Sequence, residues 1–185
     1  MSSAGLFNPT RVALLVVDEQ ERLMSAIHEA DRVVRNSRKM LQAATALGMP
    51  VVYTEQYPKG LGGTLPAIRE LLHEQLPIEK TVFGCFKSAA FTEALGKFQV
   101  DTLLIAGVET HICVFQTAAQ AIERGLSVHI LSDAVGARTP ERHSVGMERL
   151  RQLGAVISDT DMAIYEYLGE AATPLFRQVL PLLKE

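Results

Sequence analysis

Leu103-Leu104-Ile105-Ala106-Gly107-Val108-Glu109-Thr110-His111-Ile112-Cys113 is a continuous apolar stretch of strand length that breaks at a glycine and restarts in helical spacing. It reads as a strand-to-helix junction, with a strand over residues 100–106 and a helix over 113–124 closed by Gly125. The unit recurs along the chain. Residues 11–17 form an apolar run ending at Asp18, as expected of a strand buried on both faces. Val33, Ser37, Met40, Leu41, Ala44 and Leu47 then keep helical spacing up to Gly48. Short strands follow at 50–54, 126–131 and 155–158, and residues 77–83 form either a third strand or an extended segment. Further helices are expected over 89–98, from Pro140 behind a Thr139 cap to Gly154, and near 161–168 and 174–184. Such alternation predicts an α/β fold of three αβα layers, a Rossmann-like and mostly parallel sheet with helices on both faces, in one domain of 185 residues.

Composition narrows the function classes. The chain is 48% hydrophobic, enough for a full core, and its formal charge of −3 with scattered basic residues argues against nucleic acid as a partner. No apolar run approaches membrane-spanning length, and residues 1–9 lack a signal-peptide layout, so a soluble, cytoplasmic protein is expected. Two cysteines, Cys85 and Cys113, are too few for a disulfide scaffold. His28, His73, His111, His129 and His143 make no close-spaced metal motif, and neither GxGxxG, P-loop nor GxSxG is present.

In a doubly wound sheet, function gathers at the carboxyl ends of the strands. Asp18 follows the first strand and the Cys113 junction follows the fourth, which are neighbours beside the switch point in that order. A thiol at a helix N-terminus faces unpaired N–H groups and the positive end of the helix dipole, both of which favour a thiolate or an oxyanion. A carboxylate at a strand end often only caps a turn, but one aimed at the same crevice can accept a thiol proton. For Lys80, flanked by Ile78 and by Val82-Phe83, the residues alone leave two readings: a solvated surface cation, or a cation beside the other two groups. His111 stands two residues before Cys113 and so does not face it on a regular helix. Gln20, Tyr57, Phe83 and Phe86 stand next to these elements as pocket walls, with ordinary core packing an equal reading for the two phenylalanines. The stretch Tyr57-Pro58-Lys59-Gly60-Leu61-Gly62-Gly63 is a loop long enough to cover a site.

The strand 13–17 ending in Asp18, Glu79-Lys80-Thr81 before a Phe, Ala106-Gly107-Val108-Glu109-Thr110-His111-Ile112-Cys113-Val114 and Ser132-Asp133-Ala134 together resemble the isochorismatase-like cysteine hydrolases. That group includes nicotinamidases and N-carbamoylsarcosine amidases. The segment 54–62 is most similar to the isochorismatase domain-containing branch. The resemblance implies a sheet of order 3-2-1-4-5-6 and a catalytic triad of Asp18, Lys80 and Cys113. It also implies a cis peptide between Val108 and Glu109, an oxyanion hole from the Glu109 and Cys113 N–H groups, and a homo-oligomer. Nicotinamidases carry metal-binding aspartate and histidines after the second strand, where this chain has Tyr53-Thr54-Glu55-Gln56-Tyr57, so no metal and no other cofactor is expected. True isochorismatases cleave a vinyl ether without a thiol, so a retained Cys113 points to a small amide-like substrate. The competing expectations are a non-catalytic oligomerising or binding member of the family and a redox-reactive thiol protein.

Overall fold

In the computed structural model, which describes residues 5–72 and 75–184, six parallel strands form one sheet in the order β3-β2-β1-β4-β5-β6. The strands are β1 (Val12–Val17), β2 (Val51–Gln56), β3 (Ile78–Lys80), β4 (Thr102–Val108), β5 (Ser127–Gly136) and β6 (Val156–Ser158). Every strand pair is parallel. His73 and residues 1–4, whose expectations were read above, lie outside the described residues.

All six residues of β1 and all seven of β4 are buried, which is why their sequences are unbroken apolar runs. Their side chains alternate between two cores. Val12, Leu14 and Val16 meet one face of the sheet, where α2 (Ala30–Leu47), α8 (Thr160–Leu168) and α9 (Pro174–Val179) pack through Met40, Leu41, Ala163 and Val179. Ala13, Leu15 and Val17 meet the other, covered by α5 (Ala89–Gly96), α6 (Phe115–Glu123) and α7 (Pro140–Gln152) through Phe91, Ala118 and Leu150. The result is the three-layer αβα arrangement, with the switch point between β1 and β4.

Local signals set the helix ends. Gly48 closes α2 at φ 66°, and the Thr139 side chain accepts the Arg142 N–H ahead of Pro140 at the start of α7. Four elements depart from the sequence reading. The helix expected from 113 is preceded by a π-turn over Thr110–Val114, so α6 begins at Phe115. β5 runs on to Gly136 past a register irregularity opposite Ile105 and Gly107, which polar Ser132 and Asp133 disguise in the sequence. The last helix ends at Val179 and tightens into a 3-10 turn over Leu180–Leu183, because Pro181 has no N–H to donate. Its apolar residues Leu175, Leu182 and Leu183 pack onto the first core.

The fourth departure bears on the site. The segment after β2 contains a short helix, α3 (Pro58–Leu61), and is fastened at several points. Gln20 Nε2 donates to Gly62 O at 2.6 Å, Glu21 N to Gly63 O at 3.1 Å, Arg22 to Gly60 O at 2.6 Å, and Glu55 Oε1 accepts both Thr64 N and Oγ1 at 2.7 Å. Among the described residues no helix is long and apolar enough to cross a membrane.

Candidate active site

Asp18 is the first residue past β1, with φ 53°, a left-handed conformation that Asp adopts more readily than most residues. Its carboxylate is wholly buried and each oxygen has a donor: Thr54 Oγ1 at 2.6 Å on Oδ1 and Lys80 Nζ at 2.7 Å on Oδ2. Thr54 lies on β2, which pairs with β1 in parallel register, so its hydroxyl reaches the end of the neighbouring strand.

Lys80 closes β3, two strands away from β1. Its side chain reaches past the end of β2 to Asp18, and its ammonium is fully used: Asp18 Oδ2 and Gln56 Oε1 at 2.7 Å, with Val82 O at 3.3 Å and Phe83 O at 3.5 Å. Neither side chain of the ion pair is exposed. Burial is the largest single influence and lowers the lysine pKa, but the Asp18 carboxylate together with the Cys113 and Cys85 sulfurs offsets it and holds the ammonium above its ordinary range.

Cys113 sits inside the π-turn, 6% exposed. The turn is tied on both sides: Ile112 N and Val114 N donate to Glu109 O at 2.9 and 3.3 Å, and Thr110 Oγ1 bonds His143 Nδ1 on α7 at 2.9 Å. Gly146 of α7 lies so close that a Cβ there would come within 3.0 Å of His111 N. Burial first, and the negative charge of Asp18 second, push the Cys113 thiol well above its ordinary pKa, while Lys80 pulls the other way. The net direction opposes what helix-end electrostatics suggest by themselves: burial and the neighbouring carboxylate favour the protonated sulfur.

The remaining sequence candidates are distributed as follows. The Val108–Glu109 peptide is cis. Glu109 is buried, and its carboxylate accepts Arg138 Nε at 3.1 Å and Arg138 N at 3.3 Å. Gln20 is buried with its amide spent on backbone, accepting Gln56 N at 2.6 Å and donating to Gln56 O at 3.0 Å as well as to Gly62. Tyr57 and Phe83 are each 54% exposed. Phe86 packs edge-on against Phe91 at 5.0 Å in the second core, the ordinary core role. Cys85 is also buried, its N–H bonded to Thr117 Oγ1 at 3.1 Å, and burial pushes its thiol up to about 11. His111 Nδ1 is enclosed without a hydrogen-bond partner among the described residues.

A cavity of about 470 Å³ opens against the Lys80 backbone, walled by Tyr57, Lys59, Glu79, Thr81, Lys87 and Ser88. Tyr57 belongs to this wall. Gln20 and Phe83 do not line it.

Thr54 and Gln56 are the site residues that sequence reasoning passed over. Both lie in the strand-end segment that carries the resemblance, but a polar residue there has no period or motif to tell it from a turn former. Arg138, the partner of Glu109, had no sequence signal. Among the described residues no group of three or more His, Cys, Asp or Glu is arranged to hold a metal ion. The donors after β2 are committed elsewhere, Glu55 to Thr64 and Gln56 to Lys80.

The isochorismatase domain matches residues 12–162 of the chain. The chain is 36% identical over 182 residues to isochorismatase domain-containing protein 2 of Bos taurus, covering 98% of this chain and 87% of that protein. The structure is similar to that of the MAR1 ribonuclease of Caenorhabditis elegans, with a TM-score of 0.91, 36% identity and coverage of 97% and 93% of the two chains. It shares its fold with the Escherichia coli YcaC gene product, described as an octameric hydrolase of unknown specificity, at a TM-score of 0.85, 24% identity and 98% and 94% coverage.

Proposed function

The chain belongs to the isochorismatase family, and from that premise we propose that it is a metal-independent cysteine hydrolase of a small amide-like substrate, working through a thioester on Cys113. One observation carries the reading. A buried carboxylate and a buried ammonium, 2.7 Å apart, both act on one buried thiol at the carboxyl edge of the sheet, the carboxylate holding its proton and the ammonium favouring its release.

Because the resting thiol is protonated, attack and deprotonation proceed together: Asp18 takes the Sγ proton as the sulfur adds to the substrate carbonyl. The carbonyl electron pair moves to oxygen, where the N–H groups of Glu109 and Cys113 receive the negative charge. Asp18 then gives the proton to the leaving amine as the C–N bond breaks. Water, deprotonated by the same carboxylate, adds to the thioester, and the thiolate leaves and recovers its proton. Lys80 keeps its charge throughout and offsets whichever anion is present, carboxylate or thiolate.

The cavity of about 470 Å³ touches Lys80 but neither Asp18 nor Cys113, so it is read as an approach to the site, of a size that suits a small molecule. The chain is also expected to self-associate, as the octameric YcaC product does.

The 36% identity to a protein described as a ribonuclease favours RNA as the second substrate reading. The net charge of −3 weighs against it, since RNA-binding surfaces are generally basic. The deciding experiment incubates the wild type and Cys113→Ala with a panel of small primary amides and with single-stranded RNA, following product release and intact protein mass. Amide turnover with an acyl adduct, both lost in folded Cys113→Ala, is the expected result. RNA cleavage that survives Cys113→Ala, without amide turnover, overturns the proposal.

A further inference from the structure

We propose that Gln56 is the positioning residue of this site: it aims the Lys80 ammonium, and through that ammonium tunes the Cys113 thiol. The inference rests on the Asp18–Lys80–Cys113 reading and adds to it a residue that touches neither the thiol nor the carboxylate in any recorded hydrogen bond.

A lysine side chain is a flexible stem bearing a point charge with three donors, so its charge is only as well placed as its acceptors. Here Asp18 Oδ2 and Gln56 Oε1 share the two short contacts at 2.7 Å, and the longer ones fall to backbone carbonyls. Without Gln56 the ammonium would keep one short contact, to Asp18, and only the two long ones to the Val82 and Phe83 carbonyls. Gln56 supplies the second fixed point and, being neutral, leaves the positive charge undiminished, which a carboxylate there would not.

The orientation of the Gln56 amide is fixed by its surroundings. Nε2 donates to Thr81 O at 2.9 Å, an acceptor only, while Oε1 faces an ammonium, a donor only, so the flipped amide would place like against like. The backbone of Gln56 is held in turn by Gln20, whose amide bonds both its N–H and its carbonyl. Gln20 is thereby a strut one step further back, joining the turn after Asp18 to the end of β2.

The test is a thermodynamic cycle read through the pH profile of Cys113 alkylation by iodoacetamide, with labelled peptides separating Cys113 from Cys85 by mass. Gln56→Met removes the acceptor at similar volume, and Gln56→Asn, a milder change, keeps the amide but falls short by one methylene. Each is made in the wild type and in a background carrying Asp18→Asn with Lys80→Met, where the pair is uncharged. In the wild type either variant should slow alkylation at fixed pH about three- to tenfold and move the profile upward, a coupling of ordinary size for neighbouring groups. In the uncharged background the same substitution should change nothing. An equal effect in both backgrounds, or none in either, overturns the proposal. If Asp18→Asn alone and Lys80→Met alone each alkylate like the wild type at every pH, the triad reading fails instead, whatever Gln56 does.

Discussion

Asp18 Oδ2 and Lys80 Nζ lie 2.7 Å apart with both side chains closed to solvent, although 62 residues separate them in the chain. An ion pair removed from water pays a large desolvation cost that only mutual attraction and further hydrogen bonds recover. Thr54, Gln56 and two backbone carbonyls supply those bonds here. The pair is therefore expected to be sensitive to the loss of one member and tolerant of the loss of both. Lys80→Met should lower unfolding stability by about 3–5 kcal/mol, and adding Asp18→Asn should restore a large part of it. Urea titration of the single and double variants checks this; a double variant that loses the sum of the two single effects contradicts it.

Glu19 predicts a pH dependence of stability. It is fully buried with Oε1 bonded to Ser37 Oγ and Oε2 without a partner among the described residues, and burial raises its pKa to about 8 against an ordinary 4.5. The folded protein thus retains a proton that the unfolded chain releases between those values. Stability from this group is complete below about pH 4.5 and is lost as pH rises toward about 8, on the order of 1 kcal/mol per pH unit. Glu19→Gln should flatten that slope, measured by denaturant titration at pH 5.5, 7 and 8.5 (roughly the span of the shift). An unchanged slope removes Glu19 as its source.

Cys113 should alkylate slowly at neutral pH and progressively faster into the alkaline range, because burial and Asp18 hold it as a thiol. Asp18→Asn removes the nearby negative charge and should shift the profile toward lower pH. A profile that moves up instead means that Asp18 is not acting on this sulfur.

The cavity beside Lys80 carries Lys59 and Lys87 at its wall and one acid, Glu79. Iodoacetate should gain on iodoacetamide at Cys113, relative to a free thiol, by about two- to fivefold at low salt, and the gain should fade as salt is added. Lys59→Ala and Lys87→Ala should each reduce the ratio. A ratio indifferent to both substitutions means that this cavity is not the approach to the sulfur.

Gly107, at φ 108°, lies where a Cβ would come within 2.1 Å of Val17 O. The close approach of β4 to the end of β1 brings Asp18 beside the Cys113 turn, so Gly107→Ala should destabilise the protein by several kcal/mol or prevent folding. A Gly107→Ala protein melting within about two degrees of the wild type would show that the two strands can separate without consequence.

The order of elements, the buried character of β1 and β4, and the caps at Thr139 and Gly48 were legible in the chain, because each depends on neighbours within a few residues. The grouping of Lys80 with Asp18 was expected only by resemblance: nothing local at Lys80 distinguishes it from a surface lysine. Thr54 and Gln56 were illegible for a related reason, since what makes them part of the site is the side chain each meets across strands.

The sequence by itself determined that strands and helices alternate, and hence that chemistry belongs at the carboxyl ends of a parallel sheet. Burial periodicity and helix ends are short-range properties, written into spacing and into glycine, proline and threonine. Only the tertiary structure decided that Lys80 reaches past the end of β2 to Asp18, that Gln56 bonds the Lys80 ammonium and Gln20 the Gln56 backbone, and that burial and Asp18 push the Cys113 thiol upward. Those outcomes depend on which distant groups share a buried volume. Desolvation and Coulomb interaction there respond to three-dimensional distance, which spacing along the chain does not encode.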